Sequence, residues 1–182
     1  VIQLHPLCVG YNFFVKRYNI VPFTLENAAD SIFFNDVCIH ESSDKDKYAI
    51  CVSNFLPGKN QKFILKAFYK ANCQNFGLVL IGSKKTNYYR QLIKLNNKLR
   101  KKYGNRDVKI LTNQSRSITV KMIKSASMYL FASKHEVYPV SIIEAMASGI
   151  PYISTDVGCI RALPGGIVIK NMTEMINAIN FL

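Results

Sequence analysis

An α/β fold, with a parallel sheet covered by helices on both faces, is predicted by two features of this 182-residue sequence. From Tyr48 onward, short apolar runs alternate with longer segments whose apolar residues recur at helical spacing. Strands joined through helices run in the same direction, and a sheet built that way is buried on both sides. The chain has the material for such a core, because 49% of its residues are hydrophobic.

Each element has its own signal. Residues 48–54 read as the first strand. Residues 59–72 read as a helix with Phe63, Ile64, Ala67, Phe68 and Ala71 on its apolar face. Residues 76–81 form the next strand, ended by Gly82. Residues 86–103 form a long helix, with Tyr88, Leu92, Leu95, Leu99 and Tyr103 turned inward and Gly104 closing it. A strand at 108–111, a helix at 117–125 and a strand at 128–132 follow. Residues 133–140 form a loop, since Pro139 disfavours a helix before it. Ile142, Ile143, Ala145, Met146 and Ala147 then make a short apolar helix, capped by Gly149 and stopped by Pro151. Strands at 152–154 and 166–170 and a helix at 173–181 complete the series.

The first 47 residues are less patterned and read as an N-terminal segment and linker, set apart from a domain at 48–182. Residues 26–36 suit a short helix capped by Thr24, and 41–47 a polar linker. Asp44-Lys-Asp46 has the D-x-D form that elsewhere holds a divalent metal. It lies in a charge-dense stretch with no apolar strand before it, and reads as a solvated turn. Five cysteines without a C-x-x-C read as buried thiols of a reducing cytoplasm. No apolar run reaches the ~18 residues of a membrane span, and the first residues do not suit a signal peptide.

Charge is unevenly placed. The net charge is +13, and residues 84–124 carry 13 Lys/Arg against Asp107 alone. A field of that kind draws anionic partners: a nucleotide-sugar, an anionic lipid surface or nucleic acid. Nucleic acid is not expected, because no basic-aromatic motif accompanies the charge. Arg90, Lys94, Lys98 and Lys101 form a stripe that reads equally as a solvated face or as a peripheral membrane contact.

The chemistry concentrates in residues 133–158, S-K-H-E-V-Y-P-V-S-I-I-E-A-M-A-S-G-I-P-Y-I-S-T-D-V-G. Only five acids follow Lys47, and Glu136, Glu144 and Asp156 of this stretch are three of them. Glu136 falls on a loop at the carboxyl end of a strand, and Glu144 in the first turns of the next helix. Open α/β sheets bind ligands there. His135 adjoins Glu136 and reads either as a ligand contact or as an ordinary loop histidine.

This run resembles the donor-sugar signature of group 1 glycosyltransferases (family 4, retaining, GT-B fold), usually E-G-F-G-L-x-x-x-E-A-M-A-x-G-x-P-V-V-x-x-x-x-G-G. Two further stretches are similar: Val52-Ser-Asn-Phe-Leu-Pro-Gly-Lys-Asn60 to V-G-R-L-x-x-x-K-G, and Leu78-Val-Leu-Ile-Gly82 to L-x-x-x-G. The resemblance implies a Rossmann-like domain, the nucleotide-sugar-binding half of a two-domain enzyme whose acceptor domain is a separate N-terminal half. It implies a glycan or lipid-linked acceptor, a role in polysaccharide, lipopolysaccharide or glycolipid synthesis, and no metal or other cofactor. Lys59 is implied to meet the donor diphosphate, Glu136 the sugar and Glu144 the ribose hydroxyls. Asn54, Gly82, Val137, Tyr138, Val140 and Ser141 are implied to line the donor. Asn54 stands where the family has Arg, and Val137-Tyr138-Pro139 where it has G-F-G. The alternative is a non-catalytic or degenerate nucleotide-sugar-binding subunit.

Overall fold

The strands are β1 (Tyr48–Val52), β2 (Gly77–Gly82), β3 (Val108–Thr112), β4 (Met128–Phe131), β5 (Tyr152–Thr155) and β6 (Gly166–Ile169) in a computed structural model that describes residues 9–23, 26–34, 47–73 and 75–181. They form one sheet in the order β3-β2-β1-β4-β5-β6, every neighbouring pair parallel. This is the parallel sheet that the alternation predicts, and the Rossmann-like one that the resemblance implies.

Strand pleating sorts the apolar residues between two cores. Ala49, Cys51, Leu78, Leu80, Met128, Leu130 and Ile153 face α2 (Gln61–Lys70), α3 (Asn87–Tyr103) and α6 (Met172–Phe181). Ile50, Val79, Ile81, Tyr129, Phe131 and Tyr152 face α4 (Arg116–Lys124) and α5 (Val140–Ala147). The central strands therefore have no solvent face, which is why their sequences are continuous apolar runs rather than alternating ones.

Several details differ from the sequence reading. Residues 26–30 are not helical; a single 3-10 turn at Ser31–Phe33 is capped by the Asp30 side chain, and Thr24 lies outside the described residues. A helix, α1 (Val9–Tyr18), lies in the N-terminal segment, where the sequence pattern predicts none, with the rings of Phe13, Phe14 and Tyr18 against one another. Tyr103 is exposed rather than inward, because it ends the last turn of α3. Asn96 is buried instead, accepting a 2.8 Å hydrogen bond from the Tyr69 hydroxyl. Helix α5 begins at Val140 with Pro139 as its N-cap, a position compatible with the fixed φ of proline. Cys51 and Cys159 are buried thiols as expected, and burial pushes Cys51 up to about 12. Cys73 is only partly buried, while Cys8, Cys38, His5, His40 and the Asp44–Asp46 motif lie outside the described residues.

The junction of β1 with β4 is short in backbone pairing, with Ala49 opposite Met128 and Ile50 opposite Tyr129. A side chain extends it. The Val52 amide donates to the buried Tyr129 hydroxyl at 2.9 Å, and that hydroxyl donates to the Val52 carbonyl at 2.8 Å. Tyr129→Phe removes both bonds at the point where the sheet reverses. It is expected to cost ~1–3 kcal/mol, read as a fall in Tm of roughly 2–4 °C per kcal/mol. An unchanged Tm would show that the junction is held by packing alone.

Candidate functional site

At the β1–β4 junction the chain leaves in opposite directions, toward β2 through α2 and toward β5 through α5. Adjacent strands whose chains leave in opposite directions make a topological switch point, and such sheets have a ligand crevice there, at the carboxyl ends of the strands. The loop after β1 is shaped by a 3-10 turn at Pro57–Lys59 and by Asn60, which adopts φ 53°. Buried Gln61 pins it from below, its amide nitrogen donating to the Ser53 hydroxyl at 2.8 Å and to the Asn54 carbonyl at 3.0 Å. The loop after β4 is fixed by Thr155, whose hydroxyl donates to the Ser133 carbonyl at 2.7 Å. Gly158 lies under the same loop at φ +56°, and a Cβ there would sit 2.4 Å from the Val137 carbonyl oxygen. Only a glycine allows that approach. The loops touch directly, since the Lys134 amide donates to the Gly58 carbonyl at 2.9 Å.

Across this crevice, Lys59 and Glu136 meet. The Lys59 ammonium lies 2.5 Å from Glu136 Oε1, with the two side chains only 31% and 15% exposed. Their positions are 77 residues apart in sequence, so the fold alone brings them together. Glu144 is on α5, the helix that leaves the Glu136 loop, and its side chain is 14% exposed. Burial raises its carboxyl above the usual range, Arg116 at 3.7 Å partly offsets this, and Asp30 adds to the rise. The N-cap of α5, Pro139, makes no side-chain hydrogen bond to the first turn at Val140 and Ser141. Val140 is exposed, while the Ser141 side chain neighbours the Tyr129 hydroxyl. The Tyr138 carbonyl accepts from Asn27 at 3.0 Å. Asn54, Ser83, Gly82, Gln114 and Thr119 line a cleft of about 220 Å³ beside the β1 loop. Asn54 is tied there by a 2.7 Å bond from the Ser83 hydroxyl. Gly82 has a packing reason as well: a Cβ on it would lie 2.5 Å from the ring of buried Phe55.

The sequence reading missed four residues of this region. Arg116, counted there only in the basic excess, bridges Glu144 and Asp30 and lies over the Phe33 ring. Asp30 and Asn27 come from the stretch whose pattern suits a short helix, and Gln61 from the second predicted helix. Their partners are 86 and 111 residues away for Asp30 and Asn27, beyond any local pattern. At the end of the signature, the Arg161 guanidinium grips Asp156 and holds its carboxyl below the usual range.

A family profile described as glycosyl transferases group 1 matches residues 35–164, most of the chain. The chain belongs to the group 1 glycosyl transferases. Within this family it is 36% identical over 118 residues to a probable sucrose-phosphate synthase of Thermosipho melanesiensis, covering 60% of this chain and 26% of that protein. A sucrose-phosphate synthase structure from Thermosynechococcus elongatus superposes with a TM-score of 0.75 at 17% identity, over 98% of this chain and 48% of the other. The Anabaena Alr3699/HepE protein in complex with UDP-glucose superposes at 0.72 with 18% identity, over 88% and 47%. The chain thus spans about a quarter of the curated relative and about half of the structural neighbours. As in those neighbours, its fold is GT-B-like.

A raised carboxyl in this group 1 transferase makes a stability statement. Between 4.5, the ordinary Glu value, and its higher folded value, Glu144 binds more proton in the native state than in the unfolded state. Its contribution to stability therefore falls as pH rises through that window. Glu144→Gln is expected to be at least as stable as wild type at pH 7. The difference in Tm should vanish as the pH is lowered below 4.5. A variant less stable at pH 7 would show that attraction to Arg116 outweighs burial.

Proposed function

We propose that this chain is the donor-binding unit of a retaining, family 4 glycosyltransferase, which transfers a sugar from a nucleoside diphosphate to an acceptor. The observation that carries this reading is the meeting of Lys59 and Glu136 across the switch-point crevice, with Glu144 on the helix that leaves the same loop. The diphosphate leaving group gains negative charge as the glycosidic bond breaks, and fixed positive groups aimed there lower the barrier. Lys59 supplies an ammonium, and the N-terminus of α5, whose N-cap is the donorless Pro139, supplies amide donors and the positive end of a helix dipole. Glu144 accepts two ribose hydroxyls through charge-assisted bonds of ~1.5–3 kcal/mol each. Glu136 faces the sugar, taking its hydroxyls and stabilising oxocarbenium-like charge, without acting as a covalent nucleophile. The Anabaena neighbour that holds UDP-glucose shares the fold, which supports a donor of this class. Retention is what the resemblance of E-x7-E implies.

The acceptor and its base are assigned to a second Rossmann-like half, a reading supported by the span of about half of each structural neighbour. Positioning an acceptor for attack is worth ~7–11 kcal/mol. These 182 residues are accordingly expected to bind a nucleoside diphosphate in the micromolar to millimolar range and to transfer no sugar unaided. Lys59→Met should weaken that binding about tenfold by calorimetry, through loss of a charge-assisted phosphate contact. Unchanged affinity, or transfer by the isolated chain, would overturn the assignment.

The acceptor class proposed is a glycan or lipid-linked chain met at the inner face of the cytoplasmic membrane. No helix among the described residues is long and apolar enough to cross a membrane. Arg90, Lys94, Lys98 and Lys101 are all exposed on α3 and offer a peripheral contact instead. Reversing two of these charges should reduce binding to phosphatidylserine vesicles by ~1 kcal/mol per charge. Wild-type protein that ignores such vesicles at low salt would leave the stripe as a solvated face.

A further inference from the structure

The same contact that marks the site also constrains what the site accepts. Lys59 is the cation assigned to the diphosphate, yet its ammonium is engaged by Glu136 at 2.5 Å in a partly buried setting. A phosphate that reaches Lys59 must displace that carboxylate. Glu136 is then a shielded negative charge, 15% exposed, without its cationic partner and close to an incoming anion. Removing one member of such a pair is costly, because the other is left uncompensated. The cost differs between ligands. An intact nucleotide-sugar brings phosphate oxygens for Lys59 and sugar hydroxyls for Glu136, so both groups exchange one partner for another. A free nucleoside diphosphate brings only the phosphates.

We propose that the Lys59–Glu136 pair is a selectivity latch, opened without net loss only by an intact nucleotide-sugar, so that the site prefers the donor to the spent nucleoside diphosphate. The inference rests on the donor-site reading above. It gives the pair a second role in turnover. While the sugar is present, its hydroxyls hold Glu136 and Lys59 stays on the diphosphate. When the sugar has gone, Glu136 has lost its donors and recaptures Lys59, which favours release of the nucleoside diphosphate. The two loops are suited to this exchange. They are joined near the pair by one backbone bond, Lys134 amide to Gly58 carbonyl, and the ion pair closes the remaining gap.

The test uses the 182-residue chain with UDP, ADP and GDP and their glucose esters, by calorimetry. Glu136→Gln frees Lys59 and keeps an amide that accepts hydroxyls. It should bind the preferred nucleoside diphosphate about fivefold tighter than wild type, equivalent to ~1 kcal/mol. The preference for the glucose ester over the free diphosphate should shrink by a similar factor. A second readout separates the latch from simple charge repulsion: acetylation of the Lys59 amine by a water-soluble ester, followed by mass spectrometry, should be slow in wild type and several-fold faster in Glu136→Gln. Wild-type affinity for the diphosphate and unchanged Lys59 acetylation in the variant would overturn the latch while leaving the donor site in place. Failure of wild type and variant to bind any of the six compounds would overturn the donor-site reading and the latch together.

Discussion

Strands β1 and β4 lie side by side, but the chain leaves them in opposite directions, and the features of the carboxyl end depend on that divergence. Backbone pairing between them is short, and the Tyr129 hydroxyl continues it by serving both the amide and the carbonyl of Val52. Beyond that point no ladder can form, because the loops separate to cover opposite faces of the sheet. The carboxyl end therefore has an opening whose walls are loops anchored from below, by Gln61 on one side and by Thr155 and Gly158 on the other. Rigid support beneath a gap is what allows two side chains distant in sequence to be held within bonding distance.

Electrostatics at this opening set stability against use. Glu144 is held where burial disfavours its charge, and one arginine from α4 compensates only in part. Lys59 and Glu136 are each partly withdrawn from water and lean on one another. Groups arranged in this way contribute little to folding, because the cost of withdrawing them from water offsets much of their mutual attraction. The surrounding excess of lysine and arginine raises the local concentration of anions without specifying which one docks.

Much of the fold was legible because it rests on local pattern. Residues such as Leu78 to Ile81 can only be a doubly buried strand between helices, and the periodicity of residues 87–103 has one apolar face. Glu136 and Glu144 were legible for a related reason: both sit at fixed offsets from the end of a strand. What was hidden depends on distant partners. Asp30 and Asn27 fall in a stretch whose pattern suits a short helix, and nothing near them in sequence shows that one meets Arg116 and the other the Tyr138 carbonyl. Arg116 was lost in the basic background for the same reason. Tyr103 was misplaced because a helical repeat does not say where the helix runs past the edge of its support.

The stretch at 26–34 alters how this domain can be treated as a module. Phe33 is fully buried in the core shared by α4, α5 and the sheet, with the guanidinium of Arg116 above its ring. Asn27 and Asp30 fasten the same stretch to the site loop and to α4. A fusion that cut the domain at Tyr48 would leave a hydrophobic socket open and Arg116 without one of its two carboxylate partners. An intact version of this domain therefore begins upstream of Asn27, so that the strap stays with the sheet it covers.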